Sequence, residues 1–188
     1  MPCHYDGGVT GSDAALLLRD FVNTLDMDSS TDALAAPDGL GRWLAEHGLP
    51  ASGSPAPGEE ELAIAVALRE GLRAAMLGHH GSGAEDVPAQ LQDVLALLPL
   101  RVALTPAGPA LVPACGGALG ALAGLAAAIT DAAADGSWRR LKVCPQDTCR
   151  WAFLDTSKNR SRTWCSMRVC GNRTKTRAYR ARRRSGTP

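Results

Sequence analysis

Four cysteines toward the C-terminus, Cys144, Cys149, Cys165 and Cys170, form two C-x4-C pairs with fifteen residues between them. Each pair can wrap one side of an ion, and the span between them is long enough to fold back but too short for an independent core. Four thiolates complete a tetrahedral zinc and leave no position for water, which points to structure and not to catalysis. Two disulfides, or an iron site, would use the same residues. The N-terminal MPCHYDGGVT has neither the basic start nor the apolar run of a secretory signal. A reducing compartment favours metal over disulfide. The expectation is one zinc per chain, with Cys3 a free terminal thiol and Cys115 a small core residue.

The cysteines lie in the basic half of a chain whose charge is split. From Arg139 onward there are fifteen Lys or Arg against two acids, Asp147 and Asp155, a balance of +13. Before Arg139 five basic residues face seventeen acids, a balance of −12, so the net +1 is a cancellation. A basic segment built around a structural metal reads as a nucleic-acid footprint, and the acidic part is the wrong sign to touch phosphate. Two domains follow, 1–137 and 138–188, with Asp135-Gly136-Ser137 as a link between separate cores. The first, of roughly 130–140 residues, can bury a core; a module of about 50 needs a metal to make up its stability. The Ala-rich stretch Ala118–Ala134 contains Asp131 and many small residues, which makes it a buried helix and not a membrane span.

The acidic half reads as mostly helical. Ser12 can cap a helix running through Leu25, and Asp38–His47 forms a second that stops at Gly48 and Pro50. Pro50–Gly58 is a loop. Glu59 to about Leu77 is a long helix with three acids in its first turn. Gly78–Gly83 breaks the chain and Pro88–Leu98 resumes as helix. Leu100–Leu104 and Ala110–Pro113 flank a turn and predict a β-hairpin, and Gly116–Ala134 is the last helix. His79-His80 falls in a Gly-flanked, solvated surface turn. Asn23 and Thr24 are polar within an apolar helix, and together with Trp43 and the Arg69 helix they are candidates for a small-molecule pocket. A local back-bond for the first two, and salt bridges for Arg69 and Arg73, are the plainer alternatives.

In the basic half, Trp138–Val143 and Arg150–Leu154 predict two strands joined by C-P-Q-D-T-C, a knuckle that presents two thiolates. A polar loop, Asp155–Arg162, precedes a helix from Ser166 to about Arg183 that carries the second pair. A hairpin and a helix giving two ligands each make a treble-clef arrangement. Along that helix Met167, Cys170, Thr174, Ala178 and Ala181 form one narrow stripe that can pack toward the zinc. The other directions are basic. Arg168, Asn172, Arg173, Lys175, Arg177 and Arg180 are the candidate nucleic-acid contacts, since Arg forks onto phosphate or guanine and Asn reads adenine. Asn172 and Arg173 can alternatively brace the zinc loop.

Cys170-Gly171-Asn172-Arg173, preceded by Trp164-Cys165-Ser166-Met167 and by the first cysteine pair, closely resembles the CGNR zinc-finger family. Arg19-Asp20-Phe21-Val22-Asn23-Thr24-Leu25 resembles the opening of the ABATE domain that accompanies this finger in bacterial proteins. The resemblance implies a stress-induced transcription regulator whose finger binds DNA and whose front domain senses or binds a ligand. It also assigns all four cysteines to zinc. The fold class expected is α+β: a mostly helical domain with a small hairpin, then a treble-clef-like finger. The function expected is a zinc-dependent DNA-binding regulator, cytoplasmic and nucleoid-associated, with no enzymatic activity and with the acidic domain sensing or dimerising. An RNA-binding or ribosome-associated module is the first alternative. An enzyme docked to nucleic acid by the finger is the second, and no nucleophile–base pair in the sequence supports it.

Overall fold

The computed structural model describes residues 13–49, 56–81, 87–106 and 108–184. Ser12, Cys3 and most of the 50–58 loop therefore lie outside the described residues. The first helix, α1 (Asp13–Val22), buries Ala15, Leu18, Phe21 and Val22 on one face, at the spacing a helix requires. It stops three residues before Leu25 because Thr24 turns its hydroxyl back onto the Phe21 carbonyl at 2.8 Å, while its N–H closes a tight 3.2 Å bond to the same oxygen. A two-residue ladder, β1 (Leu25–Asp26) with β2 (Thr31–Asp32), follows. The second helix, α2 (Pro37–Glu46), ends as expected at Gly48, which takes φ 69° while Leu49 N–H bonds to the Leu44 carbonyl at 2.8 Å.

The long helix α3 (Glu59–Gly78) begins with three glutamates, and Glu61 accepts the Gly58 N–H at 2.9 Å. Its buried face carries Ala65, Leu68, Leu72 and Met76, and with them Arg69 and Arg73. The short helix α4 (Ala89–Leu95) crosses it at Gly71, where an added Cβ would lie 3.0 Å from that of Leu91. The predicted hairpin is β3 (Leu100–Thr105) with β4 (Gly108–Pro113), paired from Leu100↔Pro113 to Thr105↔Gly108. The last helix of this part, α5 (Gly117–Ala134), is long and apolar enough to cross a membrane, and 56% of it is buried inside the protein. Its neighbours are α1, β4, α2 and α3.

The core continues past residue 137. After a 3-10 turn at Trp138–Arg140 come β5 (Leu141–Val143) and β6 (Ala152–Leu154), an antiparallel pair in the register Leu141↔Leu154, Lys142↔Phe153, Val143↔Ala152. Alternation sends Leu141, Val143, Ala152 and Leu154 into the same apolar cluster as the helices, against α1 and α3. Lys142 and Phe153 face the other way, Phe153 joining the cysteines, Trp151, Trp164 and Val169 in a second cluster. The two separate cores expected on either side of Asp135–Ser137 are thus joined by this hairpin, which has one face in each. At about 1.5–3 kcal/mol for each large apolar side chain, its inner face contributes on the scale of a small domain's whole net stability.

Candidate metal centre and nucleic-acid interface

The knuckle between β5 and β6 brings Cys144 and Cys149 together, and a wide turn at Met167–Gly171 brings up Cys165 and Cys170. All four Sγ atoms lie within 4.8 Å of one another and all four residues are buried. Cys149 and Cys165 sulfurs are 3.5 Å apart, and Cys165 and Cys170 sulfurs 3.7 Å. Zinc at about 2.3 Å from each sulfur of a tetrahedron would set those edges near 3.8 Å. A disulfide needs about 2.05 Å, and all four are free thiols.

The local electrostatics also call for a cation. Hydrogen bonds from Cys149 and then Cys165 draw the Cys144 thiol down to about 2. Its bond to Cys144 pushes Cys149 up to about 11. Cys165 is pushed up first by the same neighbour, and Cys170 by burial and then by the charge on Cys144. One thiolate thus suppresses the rest, and a divalent ion is what lets all four ionise and ligate. Backbone N–H groups are already aimed at the sulfurs: Gln146 and Cys165 toward Cys144, and Trp151 toward Cys149. Arg150, with φ 49°, makes the left-handed step just before Trp151.

Among the described residues the hairpin carrying the knuckle has no third strand, and side chains from the helical part take the place of one. Both ends of the Asn23 amide meet Ala152 of β6, donating to its carbonyl at 3.0 Å and accepting its N–H at 2.7 Å. On the other edge a ring nitrogen of His79 meets the Leu141 carbonyl at 2.6 Å, and one of His80 meets that of Val143 at 2.7 Å. Trp138 packs edge-on against His79, with ring centroids 5.0 Å apart. The two histidines are therefore edge caps and not the solvated turn expected. Arg73 completes the frame, donating to the Arg150 carbonyl at 2.8 Å and the Val22 carbonyl at 2.7 Å while pairing with Glu70 at 3.0 Å. Burial pulls its pKa down, against the opposing charge of Glu70.

The loop from Asp155 to Arg162 is wound around one buried ion pair. The Lys142 ammonium, 3% exposed, lies 2.8 Å from the fully buried Asp155 carboxylate and also donates to the carbonyls of Arg160 and Arg162. Asp155 accepts in addition from the Ser157 hydroxyl and from the N–H groups of Ser157 and Arg162. Burial raises this carboxyl, but its bonds to Lys142 and Ser157 outweigh that and hold it below the ordinary range. Arg140 ties the Asp155 and Ser157 carbonyls at 3.0 Å each. Arg162 binds the carbonyls of Trp164 and Cys165 and stacks 4.7 Å over Phe153. None of these four residues was singled out by sequence. The available signal was Asp155 itself, one of two acids in an otherwise basic half.

The turn at Met167–Gly171 is π-helical, with the N–H groups of Cys170 and Gly171 both reaching the Ser166 carbonyl, and α6 (Asn172–Arg184) continues from it. The extra residue in this turn shifts the phase of everything after it. Cys170 is buried and Thr174 half-buried, bonded to Gln146 at 3.1 Å, but Met167, Ala178 and Ala181 are exposed. The predicted stripe therefore packs over its first turn only, and α6 projects outward. Gly171 lets Met167 and Trp164 close over the turn: a Cβ there would lie 2.4 Å from Met167 Sδ and 3.2 Å from Trp164.

Of the predicted contacts, Arg168, Asn172, Lys175, Arg177 and Arg180 are exposed. Asn172 donates to the Arg168 carbonyl at 3.1 Å, a cap on the turn between Cys165 and Cys170. Arg173 does brace the knuckle, at 3.2 Å from the Thr148 hydroxyl, and pairs with Asp28 beyond β1 at 3.3 Å.

The four residues expected to line a pocket are occupied elsewhere. Asn23 holds β6 and Thr24 bonds Phe21. Trp43 stacks on His47 at 4.0 Å and tilts against Phe21. Arg69, 3% exposed, grips Asp32 with two bonds of 2.6 and 3.1 Å, pairs with Glu70 and reaches Thr24. Each has a protein partner, the plainer of the two readings of its polarity.

The ABATE family model, whose description reads "Putative stress-induced transcription regulator", matches residues 16–136, and the CGNR zinc finger model matches residues 140–183. No curated protein matches the chain.

Proposed function

We propose that this chain, which belongs to the ABATE family and carries a CGNR zinc finger, is a transcription regulator that binds one zinc through Cys144, Cys149, Cys165 and Cys170 and uses helix α6 to bind DNA. The observation that carries the reading is α6 itself. Its thirteen residues include seven Arg or Lys and no acid, and its described side chains beyond Thr174 are all exposed. A helix with no acid of its own and no apolar face to bury has little reason to be ordered in water except its anchor and its target. The zinc-held turn supplies the anchor, and a phosphate backbone is the target of matching charge. In this reading the protein is cytoplasmic and carries out no catalysis. The helical domain, at −12, stands away from the nucleic acid.

The test is binding of the zinc-loaded full chain to duplex DNA and to structured RNA across a salt series. Four to seven phosphate contacts predict a slope of about −4 to −6 in log affinity against log salt for DNA. A flat response removes the electrostatic mechanism. Tighter binding to RNA with the same slope moves the target to the RNA-binding alternative.

A further inference from the structure

We infer that two copies of this chain associate about a two-fold axis by pairing strand β3 of one with β3 of the other, Val102 against Val102. Alternation puts Leu100, Val102 and Leu104 of β3 and Pro109, Leu111 and Pro113 of β4 on one face of the hairpin, so that face carries no polar side chain. Its base is supported, with Leu100 packed against the helical core. Toward the tip the support ends. Leu104 is 86% exposed and Val102 68%, the two highest values for large apolar side chains among the described residues.

The backbone of the same strand is open as well. Ala114 N–H donates to the Pro99 carbonyl at 2.9 Å, which makes that rung of the ladder a bonded one. Bonded rungs recur at every second position, so they fall at Arg101–Val112, Ala103–Ala110 and Thr105–Gly108. Leu100, Val102 and Leu104 therefore turn their N–H and C=O groups away from β4, and no third strand meets them among the described residues. The outer edge of β4 is closed to a partner strand. Its outward residues are Pro109, Leu111 and Pro113, with only Leu111 having an N–H to offer. Strand β3 has no proline and its register runs without a bulge, so its edge remains a template for pairing.

The strand itself specifies a second copy as the occupant. Faces stay matched in an antiparallel self-pair only when the axis passes through a residue and not between two. An axis at Arg101 would set like charges opposite each other. One at Ala103 would bring Leu100 to Pro106, which has no N–H. With the axis at Val102, that residue meets its own copy, Leu100 meets Leu104, and Arg101 meets Ala103. Each of the three outward rungs then exchanges two backbone bonds. The exposed Leu104 of each copy comes to lie beside the other's Leu100, at the margin of its core. Charge permits the approach: from Val94 to Thr130 the only charged residue is Arg101, within a half whose balance is −12. A strand pair of this length falls short of the roughly 1,600 Å² of a standard stable interface, so the dimer is weak and its population follows protein concentration.

Sedimentation of the zinc-loaded full chain, without DNA and across a hundred-fold range of concentration, tests the pairing. The weight-average mass should rise toward twice that of one chain. Val102→Lys and Val102→Glu each place like charges together at the axis, so each variant alone should stay monomeric with an unchanged circular dichroism spectrum. An equimolar mixture of the two variants should regain the dimer, because the rung at the axis then joins opposite charges. A wild type that remains monomeric at every concentration overturns the inference. So does Val102→Lys assembling like wild type, or a mixture that stays monomeric. The experiment contains no nucleic acid, so its outcome is separate from that of the α6 reading.

Discussion

Asn23 commits both ends of its amide to one backbone residue 129 positions away. Its replacement by alanine strands the Ala152 N–H and carbonyl at a part-buried edge. Each unmet group costs about 1–3 kcal/mol, so Asn23→Ala should lower the urea midpoint by the equivalent of about 2–3 kcal/mol, with or without any small molecule present. A second prediction concerns the Arg69–Asp32 pair. Burial raises the Asp32 carboxyl, but its bond to Arg69 prevails and holds it below its ordinary value. The stability it contributes is therefore present above the unfolded-state pKa near 3.9 and lost as pH falls through the lower folded value. The gap in unfolding free energy between wild type and Asp32→Asn should be constant above about pH 5 and close below about pH 4. Such residues were hard to recognise in the sequence. The four cysteines announced themselves because their partners are each other at a fixed spacing. Asn23, His79 and His80 bond to backbone atoms, and a backbone carbonyl leaves no mark in the sequence of its owner.

The helices and the β3–β4 hairpin were legible because each is set by its own periodicity and its own stops, such as Gly48 after α2. The fate of α6 was less so, since the π turn between Cys165 and Asn172 changes helical phase within a segment that reads as continuous. Its consequence is that most of the basic side chains stand clear of the finger. Arg177→Ala and Arg180→Ala should each reduce the magnitude of the DNA salt slope by about one. Arg173 is different, because Asp28 already occupies it. Asp28→Asn removes both a competitor for Arg173 and a negative charge beside the proposed interface, so it should tighten DNA binding several-fold at low salt. Equal affinity in wild type and variant would show that Arg173 braces the knuckle whether or not DNA is bound.

Across the whole molecule, the hairpin β5–β6 has one face in the helical core and the other beneath the cysteines. Metal loss is therefore felt on both sides. Chelation, or Cys170→Ser, should lower the melting temperature of helices α1 to α5 as well as unfolding the finger, in one transition followed by far-ultraviolet circular dichroism. A helical signal that melts unchanged would restore the picture of two independent cores. The sequence boundary at Ser137 is sharp in charge and in composition, yet the chain crosses it without a gap in packing, because the four inward residues of a six-residue hairpin are too few to register as a core of their own. The shared hairpin also limits what recombination can do with this finger. Cut at the linker and grafted onto a foreign protein, it would arrive with a bare apolar face and two unpaired strand edges, ready to stick to its own copies. A transplant that works would have to bring along surrogates for Asn23, Arg73 and the His79-His80 pair, so the inheritable unit is the finger together with the ends of α1 and α3.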